Sequence, residues 1–286
     1  MFKKLISIAL ILCMVGSFCV AFADSTNSRV AIGADLTEEQ INQVYRNFNL
    51  NRGDVIELIV TNSDERSYLS SNVDSSTIGT KAISCIYIES KEEGSGLTVS
   101  TSNINWCTPE TYRNALTTAG ITDANVTITA PFDVSGTAAL TGIYMAYESI
   151  TGKKLDSQAK VVGTEELAVT SELANEIGDE DTSSIVNDLK SILDETKKMS
   201  DEELHDTIVD IASDYNQTLT EEEISKLISL VRSLEKLDTN ALMERVNSVR
   251  DALSHMSDIQ ETAKSFTDKL KNLVSSIVNF FRSIGE

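Results

Sequence analysis

The chain has 286 residues and carries 24 Lys and Arg against 44 Asp and Glu, a formal net charge of −20. Such a surface repels the phosphates of nucleic acid over most of its area, which excludes a nucleic-acid partner. Two prolines and a 41% apolar composition argue against disorder, and the length allows two domains with their own cores.

Residues 1–23 read as a Sec-type signal peptide. Lys3 and Lys4 give a basic start, an apolar core runs from Leu5 to Val20, and Ala21-Phe22-Ala23 offers small residues to a signal peptidase. Leu5–Phe22 is also long enough for an uncleaved anchor. No basic cluster follows it, so cleavage after Ala23 is expected. Cys13 and Cys19 lack the small-residue context of a lipoprotein cysteine. The mature protein is therefore expected to be secreted or extracytoplasmic, at the cell envelope. Losing two lysines and no acid leaves it a net charge of −22.

Next, "DLTEEQINQVYRNF" opens with Thr37 and Gln40 at capping-box spacing, and Ile41, Val44 and Phe48 follow at helical intervals. "DVIELIVT" (54–61) reads as a strand and "SDERSYLSS" as a short helix. "AISCIYIES" (82–90) and the alternating "LTVSTSNI" (97–104) read as two further strands. "TPETYRNALTTAGI" has Thr108 as N-cap, Pro109 in the first helical position and Gly120 as C-cap. "NVTITAPF" (125–132) is the fourth strand, and a helix covers 137–151. The order βαββαβ, with a helix on each side, predicts a four-stranded, ferredoxin-like α+β domain over residues 24–152.

Beyond Gly152 the periodicity is helical, predicting an all-α bundle over 153–286. Stripes run through Ile185, Leu189, Ile192 and Met199, then through Leu204, Ile208, Ile211 and Tyr215. A third, capped by Thr220 with Glu223, holds Ile224, Leu227, Val231 and Leu234. The last stripe begins near Asn240 and continues through Val249, Met256 and Phe266 to Ile284, with a phase break at 253–256–259. Residues 264–286 carry a net charge of +2, against −15 for 153–263. This terminal amphipathic segment either closes the bundle or lies on membrane surface or cell-wall polymer.

Two cysteines remain in the mature chain, Cys85 and Cys107, and outside the cytoplasm such a pair is a disulfide candidate. A hairpin of the strands at 83–89 and 97–103 would leave Cys107 on the order of 13 Å from Cys85, beyond a disulfide's reach unless the chain bends back after Trp106. His205 and His255 carry no metal-ligand pattern, and no cofactor signature is present. "DYNQTLTEEE" starts like a calcium loop at Asp214, Asn216 and Thr218, but has Leu219 and Ser225 where glycine and glutamate are needed.

The turn "DVSGTAALTG" (133–142) is the one stretch with the shape of a binding or reacting loop. Free N–H groups at a helix start hold anions, which makes Ser135, Gly136 and Thr137 weak binding candidates. The lysine of a phosphate loop is absent. The bland alternative is Ser135 or Thr137 as N-cap, Gly136 in a tight turn and Gly142 admitting a close neighbour.

"GADLTEEQ" (33–40), "GTKAIS" (79–84), "YRNALTTAGITDA" (112–124) and "APFDVSGTAALTGIYMAYE" (130–148) resemble the YpuA-like secreted proteins of Gram-positive bacteria, domain of unknown function 1002. The likeness covers most of 30–237 and implies export without an assigned reaction. Related sequences usually lack cysteine at positions 85 and 107, so the resemblance implies that the two were gained together, favouring a bond between them. Two functions are expected from these features: a non-enzymatic binding or structural protein of the envelope or, alternatively, an envelope hydrolase with a site near Asp133–Thr137. The hydrolase predicts a pocket there with at least two carboxylates of raised pKa.

Overall fold

A computed structural model describes residues 27–69 and 75–255. The leader, the 256–286 part of the terminal stripe and the surface-binding segment 264–286 lie outside the described residues.

The sheet has five strands, not four: β1 (Ser28–Gly33), β2 (Ile56–Val60), β3 (Cys85–Ser90), β4 (Leu97–Ile104) and β5 (Ala124–Val134). Its order is β2-β1-β3-β5-β4, so the ferredoxin-like expectation is corrected in strand number and in pairing. β1 pairs parallel with β2 and β4 pairs parallel with β5, while β3 runs antiparallel between β1 and β5. Parallel neighbours require a crossover. Here these are α1 (Glu38–Asn47), between β1 and β2, and α4 (Pro109–Ala119), between β4 and β5. The expected hairpin of β3 and β4 does not form, because β5 returns between them. Burial explains the choice. β3 and β5 bury Ile86, Ile88, Val126 and Ile128 and take inner places, whereas β4 buries Leu97 and Val99 but leaves Ser100 and Ser102 exposed, as suits an edge.

Strand alternation sorts the core onto two faces. On one, Val30, Ile32 and Cys85 pack under Ile41, Val44, Tyr45 and Phe48 of α1. On the other, Ala31, Ile86, Val126 and Ile128 meet Tyr112, Leu116, Leu140 and Ile143 from α4 and α5 (Thr137–Thr151). The capping boxes read at Thr37 and Thr220 are formed, as are the Thr108 cap and the left-handed Gly120 C-cap. Two short helices, α2 (Asn62–Leu69) and α3 (Ser75–Ile78), lie between β2 and β3.

The expected disulfide is not made: Cys85 and Cys107 are free thiols, both buried. Cys85 belongs to the α1 side of the sheet, where its sulfur accepts the Gly33 N–H at 3.4 Å, and Cys107 belongs to the core on the other side. The sheet itself keeps them apart. Burial pushes both thiols up to about 12.

Past Gly152 the described residues contain helices and no strand: α6 (Ser157–Ile177), α7 (Asp179–Ser191), α8 (Leu193–Thr196), α9 (Asp201–Asp214), α10 (Glu221–Leu234) and helical turns over 239–255, α11. Ile185, Leu189, Leu204, Ile208, Ile224, Leu227, Val231 and Leu234 join in one cluster, as their spacing required. Ile192 leaves the stripe because α7 ends there, and Leu193 is buried in its place. α6 crosses α4 so closely that a Cβ at Gly163 would lie 2.6 Å from the Ala115 carbonyl oxygen. Glycine alone permits that approach.

Candidate functional site

The Ser135–Thr137 turn joins β5 to α5. Gly136 occupies the N-cap with φ 97°, and no side chain caps the helix, so the cap expected from Ser135 or Thr137 is not made. The Ser135 and Thr137 hydroxyls instead lie 3.3 Å from one another. Thr137 donates its hydroxyl to Glu65 on α2, and the Tyr112 hydroxyl donates to the Gly136 carbonyl at 2.5 Å. The Cys107 N–H closes on the Ser135 carbonyl at 3.2 Å. A Cβ at Gly136 would stand 2.5 Å from the Tyr112 hydroxyl oxygen.

In front of this turn is a hollow of about 250 Å³, reached also by Lys81, Ser84 and Glu65. Burial raises the pKa of Glu65, the nearby charge of Asp35 adds to the rise, and hydrogen bonds from Thr137 and Asn62 oppose it. Of the two carboxylates with raised pKa that a hydrolase would place here, one is present among the lining residues. Glu65 is 0% and Thr137 2% exposed. With so little access the pair serves as a pin between α2 and the start of α5, and Thr137 is poorly placed to meet a substrate. Of the weak candidates, Gly136 and Thr137 are thus spent on packing. Ser135 remains half-buried at the hollow's edge.

The histidines do not join this turn. His205 projects from α9, its ring nitrogens 3.2 Å from Asp206 and 3.3 Å from Glu221, and these carboxylates raise its pKa. His255 is the last described residue. Among the described residues no group of three or more His, Cys, Asp or Glu side chains is arranged to hold a metal ion. The calcium-like stretch is a helix end at Asp214 followed by the Thr220 cap.

A larger opening lies beside the turn. Trp106, the chain's single tryptophan, follows β4, where Asn105 N–H bonds Val134 O. It faces Val169 and Leu173 of α6 across a groove of about 490 Å³. The groove's rim carries Glu172 and Glu176 from α6 and Glu222 and Glu223 from α10. Against these four acids stands Lys226, whose ammonium is 2.7 Å from Glu172 and 2.9 Å from Glu222. Those carboxylates raise its pKa, and Lys226 in turn lowers that of Glu222. Glu223 is held in the Thr220 capping box. Aromatic and aliphatic floor with a surplus of fixed negative charge is the chemistry of a site for cations. Sequence reading missed this groove because α6 carries no one-sided stripe. Trp106, a lone indole next to a turn, was its one local signal.

Sheet, helical layer and groove define an acidic α+β protein with an open cleft where the strand-bearing and helical halves meet. The chain belongs to the family described as "Protein of unknown function (DUF1002)", whose model matches residues 32–256. That span runs unbroken through Gly152, as the likeness of residues 33–148 implied. It is similar to "Uncharacterized protein YpuA" of Bacillus subtilis (strain 168), with 33% identity over 283 residues, 98% of this chain and 94% of that protein. No solved structure matches.

Proposed function

We propose that the chain is an exported, extracytoplasmic protein of the cell envelope that works by binding, and that it takes basic peptide segments in the Trp106 groove. One observation carries the reading: an open groove with an aromatic floor bears four glutamates against a single lysine already held by two of them. A lysine or arginine entering it gains charge-assisted bonds to carboxylates and a cation–π contact with the indole. The basic start, apolar run and Ala21-Phe22-Ala23 of the leader support the address.

Trp106 supplies the readout. Pentalysine added to the mature chain should shift its fluorescence saturably, and rising salt should weaken the effect, because exposed charges are screened. Glu172→Gln combined with Glu176→Gln should reduce affinity by about tenfold, as expected for loss of two charge-assisted contacts. An unchanged spectrum, or equal affinity in the double variant, would overturn the binding site. The address is tested separately: protein recovered from the producing cell's exterior should begin at Asp24, and an intact Met1 on intracellular material would refute export.

A further inference from the structure

A second cavity, of about 240 Å³, is enclosed by α4, α7 and α11 and is separate from both the turn and the groove. Its walls differ in chemistry. Val246, Val249 and Leu253 of α11 make an aliphatic side, while Arg113, Asn114 and Lys190 face it from α4 and α7.

The hydrogen-bond accounting on the polar side does not close. Lys190 is fully buried with its ammonium 2.5 Å from Glu166 Oε1, and the other Glu166 oxygen accepts the Thr118 hydroxyl at 2.6 Å. An ammonium has three donors, yet Lys190 Nζ has no acceptor in hydrogen-bonding geometry. Arg113 reaches Glu110 through Nη1 at 3.4 Å, but its buried Nε also has no acceptor. Of the carboxylates at the cavity, Glu110 is engaged by Arg113 and Asp188 accepts the Tyr215 hydroxyl at 2.7 Å. Buried donors are nearly always satisfied in folded proteins, by protein, water or ligand. Here two cationic donors with spare capacity share one cavity with an aliphatic wall.

We propose that this cavity binds a small aliphatic carboxylate, its head on Arg113 Nε and Lys190 Nζ and its tail along Val246, Val249 and Leu253. A carboxylate has the acceptor sites these donors lack, and the tail removes apolar surface from water on the opposite wall. The cavity is smaller than the usual drug-sized pocket, which favours a short chain. The site is independent of the groove: it would stand if pentalysine failed to bind.

The test titrates octanoate into the mature chain by calorimetry, with acetate and 1-octanol as head-only and tail-only probes. Octanoate should bind saturably and more tightly than either. Arg113→Gln should weaken it about tenfold, the loss of one charge-assisted bond, and Val246→Phe should block it by filling the tail space. Should Arg113→Gln fail to fold, the Val246→Phe comparison decides. No octanoate binding at millimolar concentration, octanol binding as tight as octanoate, or affinity unchanged in the variants would overturn the proposal and leave water as the cavity's occupant.

Discussion

At the scale of single residues, the turn that most resembled a reacting loop is built as a joint. Gly136 has φ 97°, and its missing side chain makes room for Tyr112, whose hydroxyl bonds the Gly136 carbonyl. Gly136→Ala would combine left-handed strain with a collision in the core. We expect it to cost about 3 kcal/mol, read from the urea midpoint. Glu65 offers a test of sign. Its folded pKa is raised, chiefly by burial, so the folded state holds a proton that the unfolded state has released. Stability therefore falls as pH climbs from the ordinary carboxylate range through the raised value. Glu65→Gln keeps an oxygen for Thr137 and removes that titration. Denaturation of both proteins from about pH 4 to pH 8 should show the native chain losing more stability than the variant. Parallel curves would mean that Glu65 does not titrate differently on folding.

At the scale of elements, α6 and α7 are joined by the Lys190–Glu166 pair, both side chains 0% exposed. Lys190→Met would strand the Glu166 carboxylate in the core and should destabilise by about 3–5 kcal/mol. Adding Glu166→Leu should recover most of that loss, since a buried pair can be replaced by apolar groups at little cost. A double variant no more stable than the single one would show that the pair contributes beyond mutual neutralisation. The same burial explains which elements could be read in advance. α10, with one apolar stripe and a capping box, was plain in the sequence, and so was β4, with Leu97 and Val99 inward and Ser100 outward. β1 was not: all six of its residues are buried, so no alternation marks it. α6 was silent for a related reason, since it buries Thr164, Glu166, Thr170 and Ser171 along with its apolar residues. Periodicity reports a boundary between core and water, and an element without that boundary leaves little trace. Strand order was illegible because β5 inserts between β3 and β4 through contacts remote in sequence. The turn at 135–137 was legible as a turn; its partners Glu65 and Tyr112, 72 and 24 residues away, were not.

At the scale of the whole molecule, the strand-bearing and helical halves share the helices that separate their cores. α6 places Leu167 in the core over the sheet and Val162 and Leu173 in the helical core. α11 does the same, with Leu242 in the helical core and Val249 over the sheet. Removing the chain after Gly152 would therefore bare the outer surfaces of α4 and α5, including the tight crossing at Gly163. Neither half can lose its structure without stripping a wall from the other. We expect one cooperative transition in urea, with the Trp106 fluorescence, which reports the junction, and the far-ultraviolet dichroism, dominated by the helices, falling together. Leu167→Ala, a cavity over the sheet, should lower both midpoints equally by about 2–5 kcal/mol of stability. If the dichroism unfolded in two steps, with Leu167→Ala moving one alone, the halves would be separate folding units that merely touch. The fragment 24–152 gives the complementary test: it should lack a cooperative transition, because the face that α6 covers is apolar and has no other cover among the described residues.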